Sequence, residues 1–189
     1  KTLPVYALTS DHHTLFVGSP KERRHWLDWS LFHVEQQYLQ TWKNYHKALR
    51  QRNILLKETR SYNSAEIEGW EKQIEEEGTK IDYMRTQYLA ELNETLNKKH
   101  LPIVLPGDTN IVYLNHNYAE KGLGAMLAKN RTKDANKGYT ALGPHRAEIA
   151  FNYQGLRVEK HLSRGQTKLF AAALISAQLE KLKKNGGSP

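Results

Sequence analysis

The chain has 189 residues, of which 39% are hydrophobic and 25% are charged, so a folded core is expected and wholesale disorder is not. Disulfides and thiolate zinc sites are excluded because there is no cysteine, and no apolar run approaches the roughly 18–20 residues that span a bilayer. The net charge of +8 favours a polyanionic partner such as nucleic acid, although a basic surface without a specific partner would give the same charge.

The first predicted elements are a strand and a capped helix. Residues 3–8 have the pattern of a short strand. Ser19, Pro20 and Glu22 form a capping box, with Ser at the N-cap, Pro at the first helical position and Glu at the third. This pattern predicts a helix that runs from there towards Trp29.

Two helical segments follow, each with a stripe of apolar residues spaced by three and four. The first stripe contains Tyr38, Trp42, Tyr45, Leu49 and Leu56, and the second contains Ile67, Trp70, Ile74, Ile81, Met84 and Tyr88. A turn is expected at 61–64, so the pattern predicts an antiparallel helical hairpin. Gly69 and Gly78 interrupt the second segment, which predicts a short and imperfect coiled coil. Arg52 lies on the first stripe and is expected to be buried and paired.

The pattern changes after residue 100 and becomes strand-like. Strands are predicted at 103–105 and 111–114, with a turn at 106–108 between them. Residues 117–120 are predicted to cap a helix that runs through Leu127. The polar stretch 129–138 is expected to form a mobile loop.

A strand hairpin and a long helix are predicted at the end of the chain. Alternation of apolar and more polar residues over 148–153 predicts a half-buried strand. A turn at 154–155 is expected to lead into a partner strand at 156–160. The last helix is predicted from Arg164 to about residue 184.

The segment Leu162–Gln166, Leu-Ser-Arg-Gly-Gln, has the features of a helix start that can hold a phosphate. The Ser163 side chain can accept a hydrogen bond from the amide of Gln166, whose side chain can reach back to the Ser163 amide. The remaining N–H groups of the first turn lack partners and the helix dipole is positive there; Gly165 permits close approach, and Arg164 adds charge. A capped helix with nothing bound is the alternative interpretation.

Four motifs resemble one protein family. Leu162–Gln166 resembles the signature motif of ATP-binding-cassette ATPases, usually Leu-Ser-Gly-Gly-Gln, and arginine at the third position is typical of the RecF family. Gly143–Glu148 resembles that family's Gly-Pro-His-Arg/Lys-x-Asp stretch, with Glu148 in place of the more frequent Asp. Segments 18–29 and 49–53 also resemble RecF segments in the same order. The sequence is therefore identified as a member of the RecF family over nearly its whole length.

The resemblance implies an α/β (α+β) fold: the signature lobe of an ABC-type ATPase head with an inserted antiparallel helical-hairpin arm. On this interpretation, residues 1–30 form the strand and capped helix of the lobe, 31–100 the arm, and 101–189 the strands, loop and signature-motif helix of the lobe. The sequence contains neither a P-loop pattern nor an apolar strand ending in paired acidic residues. Because the Walker A and Walker B motifs are missing, the chain is expected to be an internal piece of a longer protein.

The resemblance also implies a role for the signature segment. Ser163 and Gly165 are expected to contact the γ-phosphate of ATP held by a second subunit, with Leu162, Arg164 and Gln166 beside them. Such donors contribute electrostatic stabilisation in phosphoryl transfer. ATP and Mg are the expected cofactors of the full-length protein, which resembles a weak DNA-dependent ATPase. This segment alone is expected neither to bind ATP tightly nor to hydrolyse it.

Other polar residues are candidates for binding rather than catalysis. Five are candidate DNA or interface contacts: Arg23, Arg24, Arg50, His145 and Arg146. Salt links to neighbouring carboxylates are the alternative for the first three. His145 and Arg146 could be taken for a catalytic pair, but a structural role or contact with the adjacent interface is expected. His12 and His13 have no nearby ligands to complete a metal site, so no metal is expected.

The resemblance implies a cytoplasmic protein of DNA repair, recombination and replication and of the SOS response. It implies an ATP-dependent homodimer that binds DNA at gaps or at single-stranded/double-stranded junctions, and that works with RecR and RecO to place RecA. Two alternatives stay open. In the first, the hairpin is a protein-interaction module with no nucleotide function. In the second, the chain is a DNA-binding domain without nucleotide control, and this alternative predicts salt-sensitive DNA binding by the chain alone.

Overall fold

The computed structural model describes residues 14–57, 64–101, 105, 107–115, 118 and 122–185. Four predicted features lie wholly or mostly outside these residues: the strand at 3–8, the turn at 61–64, the strand at 103–105 and the helix cap at 117–120. His12 and His13 also lie outside them. None of the helices within the described ranges is long and apolar enough to cross a membrane.

The fold combines several helices with one small sheet, which confirms the predicted fold class. The helices are α1 (Thr14–Val17), α2 (Pro20–Val34), α3 (Tyr38–Lys57), α4 (Ser64–Thr95), α5 (Leu123–Lys137), α6 (Val158–His161) and α7 (Arg164–Asn185). The strands are β1 (Thr109–Leu114), β2 (Glu148–Tyr153) and β3 (Leu156–Arg157). A π-helical turn, Leu96–His100, follows α4, and a 3-10 turn, Pro144–Arg146, precedes β2.

Two compact units make up the chain, each assembled from segments that are distant in sequence. Unit 1 contains residues 1–30, 89–112 and 149–189. Unit 2 contains residues 31–88 and 113–148.

Helix α2 begins where the capping box predicts. The Ser19 amide donates a hydrogen bond to the Glu22 carboxylate at 2.5 Å, and the Glu22 amide donates to the Ser19 carbonyl at 3.0 Å. These bonds satisfy groups at the helix start that have no intrahelical partner. The helix continues to Val34, which is five residues beyond the predicted Trp29.

The sheet has the strand order β1-β2-β3. The alternation over 148–153 was predicted to give a strand, and β2 has these bounds. Strand β3 pairs antiparallel with β2 through Asn152 opposite Arg157, and the turn between them has positive φ at Gln154 (49°) and Gly155 (78°). Two positive φ values match the twist of a two-residue hairpin. The predicted partner strand at 156–160 is wrong in length, because the chain enters α6 at Val158.

The core of unit 1 is an aromatic cluster that joins α1, α2, β2 and α7. The Phe16 ring packs edge-on against Phe151, with centroids 5.1 Å apart, and against Phe170 at 5.3 Å. The Trp26 ring packs against Phe151 at 5.4 Å. Edge-to-face pairs of this kind add about 0.5–1.5 kcal/mol to the burial of the rings. Helix α7 is therefore anchored by its buried face.

Unit 2 is built on the predicted antiparallel hairpin of α3 and α4. Three contacts along it define the direction. Arg85 Nε donates to the Tyr38 hydroxyl at 3.0 Å, a Cβ added at Gly78 would lie 3.3 Å from Tyr45, and Arg52 Nε lies 3.1 Å from Glu71 Oε1. Each contact advances seven residues on α3 and retreats seven on α4, so the two helices run antiparallel.

The two glycines of the hairpin do not break α4, which is continuous from Ser64 to Thr95. Gly78 has a packing role, because a Cβ there would lie 2.9 Å from Leu123 Cδ2 and 3.3 Å from the Tyr45 ring. Gly69 has nothing within 4 Å of the corresponding position. Only one of the two glycines is therefore required by its neighbours.

The predicted mobile loop at 129–138 is wrong, because these residues form the second half of α5. The helix ends at Gly138, whose φ of 71° is the left-handed conformation typical of helix ends. Its polar residues have buried ionic partners: Asp134 bonds to Arg52 at 2.8 Å, and Arg131 bonds to Glu71 at 2.6 Å. The polar residues of this segment are thus divided between two environments: Asp134 and Arg131 pair with other helices, whereas Lys133 and Lys137 are exposed.

Arg52 is fully buried, which confirms the expectation from its place on the apolar stripe. Its guanidinium donates to Glu71 and Asp134, to the Thr140 hydroxyl at 2.7 Å and to the Leu127 carbonyl at 3.0 Å. A buried charge is tolerated when it is paired and hydrogen-bonded in this way. Arg52 thus joins α3, α4, α5 and the loop after α5.

Candidate functional site

The signature segment forms the capped start of α7. The Gln166 amide donates to Ser163 Oγ at 3.3 Å, and the Ser163 amide donates to Gln166 Oε1 at 2.9 Å. This reciprocal pair is the predicted capping box. The Ser163 carbonyl also accepts from the amide and the hydroxyl of Thr167, at 2.8 and 2.9 Å. The backbone at the tip of α7 is therefore fixed by its own side chains.

The tip of α7 is open to solvent. Ser163, Arg164, Gly165 and Gln166 are exposed, and Leu162 is half-buried. A Cβ added at Gly165 would have nothing within 4 Å, so an incoming group can approach the backbone there. The N–H groups of Arg164 and Gly165 belong to the first turn, where no intrahelical acceptor exists and the dipole is positive. The arrangement can bind an anion presented by another molecule.

A buried polar chain holds α7 against α2 in unit 1. Trp26 Nε1 donates to Gln178 Oε1 at 3.1 Å, Gln178 Nε2 donates to Ser30 Oγ at 2.7 Å, and Ser30 Oγ donates to the Trp26 carbonyl at 3.1 Å. Both polar atoms of the Gln178 amide are engaged, which fixes the rotation of the helix about its axis. The direction in which the tip faces is set by this contact and by the aromatic cluster.

The second half of α7 is tied to the end of α4 and to the π-helical turn. The Glu180 carboxylate lies 2.5 Å from Lys99 Nζ and 3.2 Å from His100 Nε2. Lys181 pairs with Glu91. Partly exposed ion pairs contribute little individually, so these contacts orient the helix more than they stabilise it.

The stretch Gly143–Glu148 forms the 3-10 turn before β2, and its histidine is engaged on both ring nitrogens. His145 Nε2 lies 3.0 Å from the Thr140 carbonyl, and Nδ1 lies 2.6 Å from the Tyr45 hydroxyl. A carbonyl only accepts, so Nε2 carries a proton, and in the neutral imidazole Nδ1 then accepts from the Tyr45 hydroxyl. Burial raises the pKa of Tyr45, which keeps this hydroxyl protonated. These bonds give His145 a structural position.

Arg146 is exposed and lies over an aromatic ring. Its guanidinium carbon is 4.8 Å from the centroid of Tyr139, whose side chain is 41% exposed. A cation over a ring face is attracted by the ring quadrupole and is held in place. The pair presents an ordered positive charge at the surface of unit 2.

The three arginines proposed as DNA contacts have different environments. Arg23 is buried, and its Nη1 donates to the Gly18 carbonyl at 2.7 Å and to the Phe16 carbonyl at 3.5 Å. Arg24 is half-buried. Arg50 is exposed on α3. The guanidinium of Arg23 thus stabilises the connection between α1 and α2, whereas Arg50 has the exposure that a phosphate contact requires.

The sequence patterns did not predict a buried polar cluster in unit 2. Tyr113 donates to the Asp82 carboxylate at 2.5 Å, and Tyr118 also donates to it. Burial raises the pKa of Asp82, and these two hydrogen bonds oppose that rise. Arg85 donates to the Tyr113 hydroxyl at 2.9 Å and to the Pro144 carbonyl at 2.8 Å, so the cluster supports the 3-10 turn. The only signal in the sequence was that both charged residues adjoin the apolar stripe of α4.

The described ranges contain no group of three or more His, Cys, Asp or Glu side chains that could hold a metal ion. The exposed N–H groups at the tip of α7 in unit 1 and the exposed cationic side chains of unit 2 are suited to binding anions.

Comparison with known proteins gives one consistent result, although no family model matches the chain. The DNA replication and repair protein RecF of Pseudoalteromonas translucida is 36% identical over 93% of this chain and 49% of its own length. The protein of the same name from Hahella chejuensis is 35% identical, over 96% of this chain and 50% of its own length. The chain therefore spans about half the length of the curated relatives it matches.

The fold is similar to solved RecF structures. A structure of the recombination mediator protein RecF-ATP in the RecFOR pathway has a TM-score of 0.87 and 26% identity, and the match covers 95% of this chain and 51% of that one. A corresponding RecF-ATPrS structure has a TM-score of 0.88 and 26% identity, over 96% of this chain and 52% of that one.

Proposed function

We infer the function of this chain from one premise: it belongs to the RecF family, and it spans about half the length of the family members it matches. We propose that it belongs to a DNA replication and repair protein and supplies the signature half of its ATP site. The observation that carries this proposal is the motif Leu162–Gln166, which forms the exposed and capped start of α7.

The geometry of the tip suits the γ-phosphate of ATP bound to a second subunit. A hydroxyl has one donor and two acceptor positions, so Ser163 Oγ can keep its bond from the Gln166 amide and donate to a phosphate oxygen. The first-turn amide of Gly165 and the charge of Arg164 add donors on the same side of the helix start. These groups would stabilise negative charge and take no covalent part in the reaction.

Family membership also supports a wider function, which is part of the proposal. ATP, with Mg, acts as the switch for a homodimer that binds DNA at gaps and junctions, and hydrolysis resets it. RecR, RecO and RecA are its partners in the cytoplasm, in DNA recombination and in the SOS response. The excess of 28 basic over 20 acidic residues in this chain supports a polyanionic partner.

The test is ATP-dependent association of this chain with a RecF-family segment that carries the P-loop. The informative variant is Ser163→Asp, because Asp caps a helix as well as Ser but places a carboxylate against the phosphate. Juxtaposed like charges cost several kcal/mol, so we expect association in ATP to weaken by more than about tenfold. Thermal unfolding of the variant should match that of the wild type.

The matched control is Ser176→Asp, which makes the same change at an exposed position of the same helix away from its tip. We expect it to associate as the wild type does. Association of the same strength with and without ATP, and with and without Ser163→Asp, would contradict the proposal and favour a plain protein-interaction module.

A further inference from the structure

We propose that one face of unit 2 binds the phosphate backbone of duplex DNA. This face, the basic ridge, consists of Lys43, Lys47, Arg50 and Lys57 on α3 and Lys133 and Lys137 on α5. The inference rests on the proposed function in that DNA is the partner, and it adds the surface by which DNA is held.

Helix α3 presents its cations in one row. Lys43, Lys47, Arg50 and Lys57 follow one another at intervals of four, three and seven residues, so they share one face of the helix, and all are exposed. The buried residues of α3, including Arg52, lie on the opposite face. At a rise of 1.5 Å per residue the row is about 21 Å long.

Helix α5 extends the ridge because it packs beside α3. Arg52 bonds to Asp134, and a Cβ added at Gly138 would lie 3.5 Å from Lys57 Cε, which places the last turns of the two helices together. Arg131 lies on the flank of α5 that pairs with α4. At 100° per residue, Lys133 and Lys137 lie on the other flank.

The charge of the ridge is not neutralised locally. Helix α3 contains no Asp or Glu, and the single acidic residue of α5, Asp134, is buried against Arg52. Within the described residues, none of the six ridge cations forms an ion pair with a carboxylate. Lys80 of α4 differs, because it pairs with Glu77. Among the described residues, the two helices that carry the ridge therefore contribute no exposed carboxylate to it.

A straight row of cations on one helix can lie along a duplex backbone. Duplex DNA carries about one charge per 1.7 Å of axis, so a row of about 21 Å faces roughly six base pairs. Proteins that bind single strands add aromatic side chains on which bases stack. On α3, Tyr38 and Tyr45 are buried, and Trp42 is half-buried and packs against Phe32 and His46. Lysine contacts to phosphate position a protein without reading sequence.

The experiment compares two triple variants of the 189-residue chain with equal loss of charge. The ridge variant is Lys43→Gln, Lys47→Gln and Arg50→Gln. The control variant is Lys72→Gln, Lys80→Gln and Lys98→Gln, at exposed positions outside the ridge. Affinity for a random-sequence duplex is measured from 0.05 to 0.2 M salt, a range chosen because phosphate contacts are most apparent there.

We expect the ridge variant to bind duplex at least about tenfold more weakly at 0.1 M salt. The slope of log affinity against log salt is negative, and we expect its magnitude to decrease by about 2–3, or about 0.9 per lost contact. The control variant should keep the wild-type slope. Equal losses in both variants, or no loss in either, would overturn the proposal. A ridge variant that binds duplex as the wild type does but no longer binds polyglutamate would also overturn the proposal, because the ridge would then be a site for an acidic polypeptide.

The two proposals can fail separately. If the ridge variant loses affinity for duplex while Ser163→Asp still associates in an ATP-dependent way, the proposal for the basic ridge is supported and the proposed role of the signature segment is wrong. If Ser163→Asp loses ATP-dependent association while the ridge variant binds duplex as the wild type does, the proposal for the basic ridge is wrong and the proposed role of the signature segment is supported.

Discussion

The buried guanidinium of Arg52 connects three helices, so its removal should strongly destabilise unit 2. Arg52→Met keeps most of the aliphatic volume but leaves Glu71 and Asp134 without this cation. Removing one partner of a buried ion pair costs about 3–5 kcal/mol. Glu71 keeps Arg131 at 2.6 Å, and Asp134 keeps the Ala141 amide at 3.2 Å. We therefore expect a loss near the lower end, about 3 kcal/mol.

Urea unfolding of the 189-residue chain measures this loss as a lower midpoint. The matched control is Arg50→Met, which makes the same substitution two residues away on the exposed face of α3. Surface substitutions of this kind change stability by about 0.5 kcal/mol or less. Both variants lose an arginine, so the difference between their unfolding midpoints measures the effect of removing a charge from a buried position.

A double-mutant cycle with Asp134→Asn tests the stated cause. If the loss comes from a stranded carboxylate, Asp134→Asn should be less harmful in the Arg52→Met background than in the wild type, with a coupling energy of about 0.5–3 kcal/mol. A loss for Arg52→Met below about 1 kcal/mol, or no coupling with Asp134, would refute the reasoning.

Two further predictions concern the hairpin and the buried carboxylate of unit 2. Gly69→Ala should raise stability by up to about 1 kcal/mol, because alanine favours a helix and its Cβ meets nothing within 4 Å; Gly78→Ala should lower it, because its Cβ would lie 2.9 Å from Leu123. Thermal unfolding checks both, and equal shifts would contradict this packing argument. Burial raises the pKa of Asp82, so its contribution to stability is greatest below the unfolded pKa of about 4 and decreases as pH rises through the raised native pKa. Urea midpoints of Asp82→Asn, compared with those of the wild type from pH 3 to 8, should lack this dependence, and parallel curves would show that Asp82 does not titrate differently on folding.

Local patterns predicted the elements in which side-chain periodicity agrees with burial. In β2 the apolar Ile149 and Phe151 are buried as the pattern predicts, although the intervening Ala150 is buried as well. The stripe on α3 includes the buried Tyr45 and Leu56. The prediction failed at 129–138, where the buried face of the helix includes Asp134. Hydrophobic periodicity cannot detect a face that is buried through ion pairs with distant residues, because the partner, Arg52, lies 82 positions earlier.

The candidate site divides in a similar way. The capping box of α7 follows from the sequence alone, since Ser163 and Gln166 are three residues apart and the bonds are local. Its proposed role in binding ATP came only from resemblance to a family. The burial of Arg23 was not predictable, because its acceptors are the carbonyls of Phe16 and Gly18 and any residue type offers a carbonyl.

The buried arginines and the exposed lysines of unit 2 have separate roles, and this separation explains how an excess of positive charge is compatible with a buried ionic network. Arg52 and Arg85 are buried and bond several acceptors each, which suits the planar, five-donor guanidinium. The exposed row on α3 is mostly lysine, a compact and strongly hydrated charge on a flexible stem. Flexible lysines adapt to phosphates at any register along a duplex, so the exposed charge favours sequence-independent contact. If the row binds duplex DNA as we propose, specificity for a DNA structure must come from the shape of the surface that presents the charges.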